Sequence, residues 1–341
     1  MKEKTSQNQV LDVSPTDDLP HTPTDSATWR ESLYFEFFDN QTGVWSYQYI
    51  GERPNKNHSG LAISLWSNEG YISGRLEFAP TDRDSESHRA AGLQITTIEP
   101  MEQHKITYEG PLIGPQVLTD KNIRLNPKAM RPGAAKKMPS MNVRFDLNWE
   151  ATMPVHTFPR NLLSEFFSGH IQQVGRCHGT IETPDKTFKI DGPSFRDRSW
   201  GERNWFGLDR YVFIFPPFEN FCVATTRTER DNLPETTGWM NHNGNILVTP
   251  SMIDEIVYQD VPGERRMPRK ATFTVTNEEG IDYVIDCEIL AAVPSVFQDR
   301  DNNISKLSWI DRCPAHFSWE GQTTLGIVEN LELIDRPDGW S

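Results

Sequence analysis

The residues best suited to chemistry lie in one short stretch, 196–205, which reads Arg-Asp-Arg-Ser-Trp-Gly-Glu-Arg-Asn-Trp. It holds five charged side chains and two tryptophans within ten residues. Burying an unpaired charge is costly, so such a stretch either pairs its charges or lines a cavity. Because an extended chain alternates its side chains, we expect Asp197 on one face of a strand and Arg196 and Arg198 on the other. The stretch could therefore form a ligand site or a salt-bridge clamp between domains.

The chemistry that this stretch could perform is proton transfer by Asp197. In an apolar cavity the charged form of a carboxyl group is disfavoured, so its pKa rises and it can act as a general acid near neutral pH. The flanking arginines oppose that effect, and the sequence leaves the balance open. The chain also holds ten Trp, eight Tyr and eighteen Phe. These rings could line a cavity for a bulky apolar ligand and stabilise developing positive charge, or they could fill β cores.

The motifs of cofactor and metal enzymes are missing from the sequence. It contains no Gly-rich dinucleotide fingerprint, no P-loop and no Gly-x-Ser-x-Gly nucleophile elbow. Cys177-His178 and the pair Cys313 and His316 are isolated, and a zinc site needs three or four ligands. The segment 299–310 opens like a calcium loop but has Ile304 and Ile310 where that loop needs glycine and an acid. We therefore expect neither a metal nor a cofactor.

The overall charge restricts the partners. With 48 Asp and Glu against 34 Lys and Arg, the formal charge is −14, which argues against nucleic acid and against an anionic membrane surface. No apolar run is long enough to span a membrane, and the first residues do not form a signal peptide. The four cysteines are far apart, so we expect free, buried thiols in a reducing compartment and a cytoplasmic protein. The sequence does not determine the oligomeric state.

Outside its N-terminus the chain has the patterns of β structure. Residues 142–150 and 281–289 alternate apolar and polar side chains, which predicts strands with one buried face. Turn sequences at 68–70, 183–186 and 277–280 separate pairs of such runs and predict hairpins. Residues 159–169 are the one helix-like segment, and the basic stretch 121–137 resembles a long mobile loop. We predict an all-β protein with a disordered or draped arm at 1–28 and two domains, 29–158 and 159–338.

Several segments together resemble a known superfamily. Residues 173–180 (Gln-Val-Gly-Arg-Cys-His-Gly-Thr) and the string 192–201 are similar to the second half of AttH and the carotenoid 1,2-hydratases (hydroxyneurosporene synthases). Residues 31–39, 50–55, 106–112 and 326–329 fit the same pattern, so the resemblance covers about 29–335. The best match is a branch with an Arg-Asp-(His/Arg)-Ser-Trp-Gly-x-Arg-x-Trp string. Carotenoid hydratases have His-Asp-His-Asn-Trp-Gly there, so Asp197 and Trp200 keep their types while Arg196 and Arg198 replace histidines.

The resemblance implies two lipocalin-like antiparallel β-barrels side by side and a small-molecule enzyme without a cofactor. Relatives hydrate prenyl double bonds or, in fungi, close decalin rings. The first hypothesis is thus a hydratase, dehydratase or isomerase for a hydrophobic terpenoid-, steroid- or polyketide-like molecule. Asp197 or Glu329 would supply the acid. The expected substrate contacts are Arg198, Trp200, Arg203 and Trp205. The alternatives are a non-catalytic lipocalin-like binding protein, in which the charged string is only a clamp, and a pericyclase-type cyclase.

Overall fold

The fold is described from a computed structural model of the chain. The residues described are 13–119, 123–130, 137–157, 168–202, 206–261, 265–298 and 305–335. Within these ranges the chain is almost entirely β, with two short 3-10 turns at Pro15–Asp18 and Pro54–Lys56. The predicted all-β class is therefore confirmed. The helix-like segment 159–169 lies almost wholly outside the described residues.

The first sheet contains twelve strands from the described residues up to Glu202. All the pairings between its named strands are antiparallel. Its strands are β1 (Trp29–Asp39), β2 (Val44–Arg53), β3 (His58–Ser67), β4 (Tyr71–Ala79), β5 (Asp82–Arg83), β6 (Ser87–Ala90), β7 (Leu93–Glu99), β8 (Gln103–Val117), β9 (Ser140–Ala151), β10 (His156–Thr157), β11 (Gly169–Glu182) and β12 (Thr187–Glu202).

The second sheet contains ten strands from the described residues beginning at Arg210. These pairings are also antiparallel. Its strands are β13 (Arg210–Phe215), β14 (Phe221–Arg230), β15 (Leu233–His242), β16 (Asn245–Val248), β17 (Ser251–Gln259), β18 (Met267–Thr276), β19 (Asp282–Ile289), β20 (Val293–Gln298), β21 (Lys306–Trp319) and β22 (Gln322–Asp335).

The strand pairings of the first sheet run in a circuit. Starting at β11, the paired order is β12, β1, β2, β3, β4, β8 and β9, and β9 pairs again with β11. The second sheet runs from β16 to β17 as an open order, and β17 lies against β14 and β15. Both arrangements are consistent with lipocalin-like barrels, in which closure removes unpaired strand edges.

The division between the two sheets differs from the predicted domain boundary. Strands β11 and β12 pair with β9 and β1, so the predicted boundary between residues 158 and 159 falls inside the first sheet. Along the sequence, the last strand of the first sheet ends at Glu202 and the first strand of the second sheet begins at Arg210. The reason is the long-range pairing of β12 with β1, which no local sequence pattern encodes. Local turn signals mark hairpins, but they do not say which hairpin closes which sheet.

Two segments that the sequence assigns to solvent are packed against the sheets. Residues 13–28 of the predicted arm include Asp18, which is fully buried. In the basic stretch 121–137, Arg124, Leu125 and Met130 are buried. Arg124 also forms a parallel bridge with Ala292 of the second half. Electrostatic partners inside the sheets, described below, account for both departures from the expected loops.

The predicted strands and hairpins are otherwise confirmed. In β9 the residues Val143, Phe145, Leu147 and Trp149 are buried, and their neighbours are exposed or half-buried. The turns at 68–70 and 183–186 join β3 to β4 and β11 to β12 as expected. Ile281 is an exception, because it was expected to point inward and is exposed. Its amide donates to Asn277 Oδ1 within the turn, so the alternation of β19 begins only after it.

Apolar side chains form three clusters. One fills the inside of the first sheet and another fills the inside of the second. The third is made of residues from both sheets and lies between them, with Trp45, Phe195 and Phe213 among its members. Strand β1 is buried along its whole length because it faces the first cluster on one side and the third on the other. Its side chains can therefore act in either of two buried environments.

The described residues contain neither a disulfide nor a helix suited to the bilayer. All four cysteines are free and buried, as expected from the sequence. Burial raises the pKa of the Cys177 thiol above its ordinary value, which keeps it in the neutral thiol form. Within the described ranges, no helix combines the length and the apolar character that a membrane crossing requires.

We predict that Gly179→Ala disrupts the pairing of β9 with β11. Gly179 has φ +146° and lies opposite Leu147, and a Cβ there would sit 2.1 Å from the Asp146 carbonyl oxygen. The expected loss is about 3 kcal/mol or more in the free energy of unfolding, measured by urea denaturation. Gly280→Ala is the control, because Gly280 also has a positive φ but open space around it. It should cost only about 1 kcal/mol, and equal losses would contradict the steric explanation.

Candidate active site

The charged string lies on β12, and its alternation separates the arginines from the aspartate. Arg196 and Arg198 pair with Phe35 and Leu33 of β1, whose side chains belong to the cluster inside the first sheet. Asp197 instead pairs with Tyr34, which belongs to the cluster between the sheets. Facing residues of paired strands point to the same side. The arginines therefore point inside the first sheet, and Asp197 points towards the second sheet.

Inside the first sheet both arginines are buried and paired. Arg196 donates from Nη1 and Nη2 to the two carboxylate oxygens of Asp18, at 2.6 and 3.1 Å. Arg198 Nη2 donates to Glu31 Oε1 at 2.5 Å. Burial alone would raise the pKa of Glu31, but the charge of Arg198 and a hydrogen bond from His21 hold it at about 2. The arginines thus form buried ion pairs within the first sheet and its arm rather than a clamp between the two sheets, and Asp197 is not their partner.

The remaining predicted residues of the string lie near its C-terminal end. The indole of Trp200 stacks on the His21 ring with centroids 4.1 Å apart. Trp200 therefore contacts the arm, and Arg198 contacts Glu31. Arg203 and Trp205 lie outside the described residues, so their predicted substrate contacts stay predictions.

Asp197 and Glu329, the two predicted acids, approach a common tyrosine. Glu329 on β22 accepts a hydrogen bond from the Tyr211 hydroxyl at 2.8 Å. Burial raises the pKa of Tyr211 well above its ordinary value, and the charges of Glu329 and Asp197 raise it further. The Asp197 side chain is 29% exposed, and its Oδ2 lies 3.8 Å from His170 Nε2. Strands from both sheets thus bring the two carboxyl groups close enough to Tyr211 to affect its pKa.

Arg312 on β21 completes the contribution of the second sheet. Its Nε lies 2.7 Å from Glu329 Oε1, and its Nη1 donates to Ser295 Oγ at 2.7 Å. The guanidinium also lies over the rings of Tyr34 and Tyr47, at 5.7 and 5.1 Å from their centroids. Burial would lower the pKa of Arg312, but Glu329 holds it well above its ordinary value. Arg312 is therefore held in its charged form beside the carboxyl group of Glu329.

Glu36 of β1 faces this pair from the first sheet and was not predicted as a site residue. It is fully buried, and its Oε2 accepts hydrogen bonds from the Tyr34 hydroxyl at 2.8 Å and from Trp45 Nε1 at 3.4 Å. Its other oxygen, Oε1, has no hydrogen-bond partner among the described residues. Burial raises the pKa of Glu36 well above its ordinary value, and the charge of Glu329 adds to the effect. The neutral acid form of Glu36 is therefore favoured over its carboxylate.

We call Tyr34, Glu36, Tyr47, Tyr211, Arg312 and Glu329 the inter-sheet cluster. It holds two carboxyl groups in different environments, because Glu36 is desolvated and Glu329 is paired with a guanidinium. Such a separation of roles is what general acid–base catalysis needs. Solvent exposure also differs across the cluster, because Glu36 is fully buried whereas the Glu329 side chain is 12% exposed.

The sequence contained one signal for this site. Glu36 stands in the apolar run Leu-Tyr-Phe-Glu-Phe-Phe (33–38), where an unpaired carboxylate would be costly. The run contributes to the family resemblance, which does not mark Glu36 as a site residue. Arg312 and Tyr211 carried no comparable signal, because their importance depends on strands that meet only in the folded chain.

A second group of carboxylates and histidine has the composition of a metal site. Glu31, Glu52 and His88 are buried, and one ligand atom from each lies within 4.8 Å of the others. However, Arg83 Nη1 lies 2.9 Å from Glu31 Oε2 and 3.4 Å from Glu52 Oε2, and Arg198 also contacts Glu31. Two guanidinium groups thus already neutralise the two carboxylates. The arrangement fits an ion-pair network better than a cation site.

We predict that Glu→Gln substitution has a small effect on stability at Glu36 and a large one at Glu31. Glu36→Gln should change the free energy of unfolding by no more than about 1 kcal/mol near pH 5, because a neutral amide replaces a neutral acid. Glu31→Gln should cost about 3–5 kcal/mol, because it leaves buried guanidinium groups without their carboxylate. Urea denaturation measures both, and similar losses would contradict the assigned protonation states.

The pH dependence should also differ in sign. The folded pKa of Glu36 is raised, so wild type loses stability relative to Glu36→Gln as the pH rises above about 4.5. The folded pKa of Glu31 is lowered to about 2, so its contribution is present above pH 4.5 and is lost as the pH falls towards 2. Urea denaturation across this range tests the signs. Infrared difference spectroscopy should also show the protonated carboxyl band of wild type disappear in Glu36→Gln.

Comparison with known proteins agrees with this architecture. A family model described as a domain of unknown function (DUF7064) matches residues 14–334. No curated protein sequence matches the chain significantly. A protein of Nitrosomonas europaea provisionally identified as AttH has a similar structure, with a TM-score of 0.61 and 9% identity over 94% of this chain and 99% of that one.

Two further solved structures are similar over almost their full length. Kievitone hydratase from Nectria haematococca superimposes with a TM-score of 0.59 at 10% identity, covering 96% of this chain and 94% of that one. CghA in complex with Sch210972 gives 0.54 at 9% identity, covering 97% and 98%. At these identities the likeness establishes the fold. The expected resemblance to AttH and its hydratase relatives is confirmed at that level.

Proposed function

We propose that this chain, which belongs to the family described as a domain of unknown function (DUF7064), is an enzyme of the hydratase, dehydratase or isomerase type. In this proposal it acts without a cofactor on a hydrophobic terpenoid-, steroid- or polyketide-like molecule. The reaction takes place at the inter-sheet cluster. The single observation that carries the proposal is a fully buried Glu36, with one carboxyl oxygen lacking a hydrogen-bond partner among the described residues, on the face of β1 towards the ion pair of Arg312 and Glu329.

Glu36 acts as the general acid in this proposal. It transfers its proton to a carbon–carbon double bond or to a carbonyl oxygen of the substrate and becomes a carboxylate. The positive charge that develops on the substrate is stabilised by that carboxylate and by the aromatic rings of the cluster. Because the site is desolvated, these electrostatic interactions are stronger than they would be in water.

Glu329 acts as the base of the same reaction. In hydration it takes a proton from the attacking water, and in isomerisation it takes a proton from the carbon next to the cationic centre. Arg312 and the Tyr211 hydroxyl hold its carboxylate in place. The cycle closes when the proton returns from Glu329 to Glu36, and Tyr34 provides a hydroxyl in contact with Glu36 for that transfer. The net reaction consumes no proton.

Asp197 has a different place in this proposal from the one that the sequence suggested. Its partly exposed side chain lies beside His170 on the side of β12 that faces the second sheet. This position suits a group that exchanges protons with solvent or binds a polar end of the substrate. Glu36 rather than Asp197 is then the acid that meets the reacting carbon. Arg198 and Trp200 support the reaction only by holding β12 and the arm.

The apolar wall of the site supports a hydrophobic substrate. Trp45, Phe195 and Phe213 belong to the cluster between the sheets that surrounds the polar groups. We place the substrate between the sheets, where these aromatic side chains lie next to the polar groups of the inter-sheet cluster. A few polar groups in a mostly apolar surrounding are typical of small-molecule sites.

We predict that incubation in D2O reveals the activity. A panel of terpenoid, steroid and polyketide alkenes and ketones is incubated with the protein, and mass spectrometry detects added water or carbon-bound deuterium. Organic extracts of the purified protein, analysed in parallel, indicate which compound class to extend. Glu36→Gln should lower the rate of deuterium incorporation by about 10²–10⁴-fold.

Glu255→Gln is the matched control, because Glu255 is exposed on β17 of the second sheet. It should leave the rate unchanged. Asp197→Asn should lower the rate less than Glu36→Gln if Asp197 only exchanges protons with solvent. Full activity of Glu36→Gln would refute Glu36 as the acid, and loss of activity in Glu255→Gln would point to a general effect on folding.

A non-catalytic binding protein is the second candidate. It is favoured by the sealed ion pairs of Arg196 and Arg198, which give the charged string a structural role. A binder would retain a co-purified molecule in native mass spectrometry and would incorporate no deuterium. A pericyclase-type cyclase would convert a linear substrate to a ring without exchange of protons with solvent. The D2O experiment therefore separates the proposed enzyme from the other two functions, and chromatography of the isomeric ring product separates a cyclase from a binder.

A further inference from the structure

The N-terminal arm inserts a carboxylate into the first sheet. Residues Pro15–Asp18 form a single 3-10 turn, capped by reciprocal hydrogen bonds between Ser14 and Asp17. Asp18 at the end of this turn is fully buried, whereas Leu19 is only half-buried. The family match begins at residue 14, so this turn is part of the matched domain. The arm is thus anchored mainly by a polar group.

The groups that receive Asp18 all belong to the sheet or its turns. Its carboxylate accepts two hydrogen bonds from the Arg196 guanidinium. The Met101 amide donates to its Oδ2 at 2.6 Å, and His104 Nε2 lies 3.1 Å from the same oxygen. Gln173 Oε1 accepts from Arg196 Nε at 3.0 Å and thereby fixes the guanidinium. A planar fork that meets both oxygens is the geometry by which arginine recognises a carboxylate.

Backbone contacts next to Asp18 are also made by groups of the sheet. Arg198 donates to the carbonyl oxygens of Asp18 and Leu19, at 3.0 and 2.6 Å. Arg83 Nη2 donates to the His21 carbonyl oxygen at 3.0 Å. Groups of the sheet therefore bind one carboxylate and several carbonyl oxygens of the arm, as a protein does when it binds a peptide.

The groups around the Asp18 carboxylate, which we call the receptor, are Arg196, His104 and the Met101 amide. Their one positive charge needs one negative charge as a partner. Asp18 supplies the only carboxylate that pairs with Arg196 in the described part of the chain, while Arg198 keeps Glu31. Burial and the nearby charge of Arg196 lower the pKa of His104 to about 4, so this histidine is neutral near pH 7. Without Asp18 the receptor would hold one uncompensated buried guanidinium. An anion with a single charge would relieve that cost.

We propose that the receptor formed by Arg196, His104 and the Met101 amide is a carboxylate-binding site that the chain fills with Asp18 as a tethered ligand. A free monocarboxylate of the size of formate or acetate takes the place of the Asp18 side chain when that side chain is withdrawn. The site is separate from the inter-sheet cluster, because Arg196 faces Phe35 inside the first sheet, whereas Tyr34 of the cluster lies between the sheets. The strand β12, which carries Arg196, pairs with β1, which carries Tyr34 and Glu36 of the cluster.

The test is chemical rescue of Asp18→Ala in the full chain. Thermal unfolding of Asp18→Ala is followed at increasing sodium acetate or formate and, at equal ionic strength, in sodium chloride. We expect a lower Tm than wild type in chloride and a saturable rise of a few degrees in acetate, because a ligand that binds only the folded state stabilises it. Wild type and Asp25→Ala, whose substituted residue is exposed in the same arm, should show no difference between the salts.

Three results would overturn the proposal. One is an equal Tm of Asp18→Ala in acetate and in chloride, and another is an equal acetate effect on wild type and the variant. The third applies if Asp18→Ala does not fold in chloride. The readout then becomes the yield of refolding from urea in acetate against chloride, and equal yields would show that the receptor does not bind a free carboxylate.

Discussion

The buried guanidinium groups of β12 are the constraint on which the rest of the structure depends. Inside the first sheet Arg196 and Arg198 are shielded from water, and an unpaired charge there would cost several kcal/mol. Their carboxylates come from the arm and from β1, which explains why Asp18 of a polar arm is ordered and buried. Because side chains alternate along β12, fixing the arginines on one face fixes Asp197 on the other. The same strand thus carries the buried ion pairs on one face and Asp197 on the other.

The second sheet has a related arrangement. Arg124, from a segment outside its strands, donates to Asp311 Oδ2 at 3.1 Å and to the carbonyl oxygens of Arg265 and Arg266. Asp311 also accepts from Trp309 Nε1 at 3.1 Å. In each sheet, therefore, a segment from elsewhere in the chain forms a buried ion pair within it. This leaves the faces between the sheets as the place where polar groups of both halves meet without such a segment.

The inter-sheet cluster shows how neighbouring carboxyl groups acquire different properties. Glu36 lies on a strand buried on both faces, and its nearest hydrogen-bond donors are neutral, so its acid form is favoured. Glu329 lies beside a guanidinium and close to solvent. The difference arises only because β1 of one sheet packs against β21 and β22 of the other. Neither half of the chain alone contains both environments.

The sequence by itself determined the local structure and the class of fold. Alternation in 142–150 and turn residues such as Gly70 fixed strands and hairpins, because these depend on neighbours in the chain. The string around Asp197 and the late Glu329 were also recognisable as candidate acids. Only the tertiary structure decided that β12 pairs with β1, that Arg196 takes Asp18 as its partner, and that Glu36 faces Arg312. Those outcomes rest on contacts between residues far apart in the chain and on burial, which local patterns do not specify.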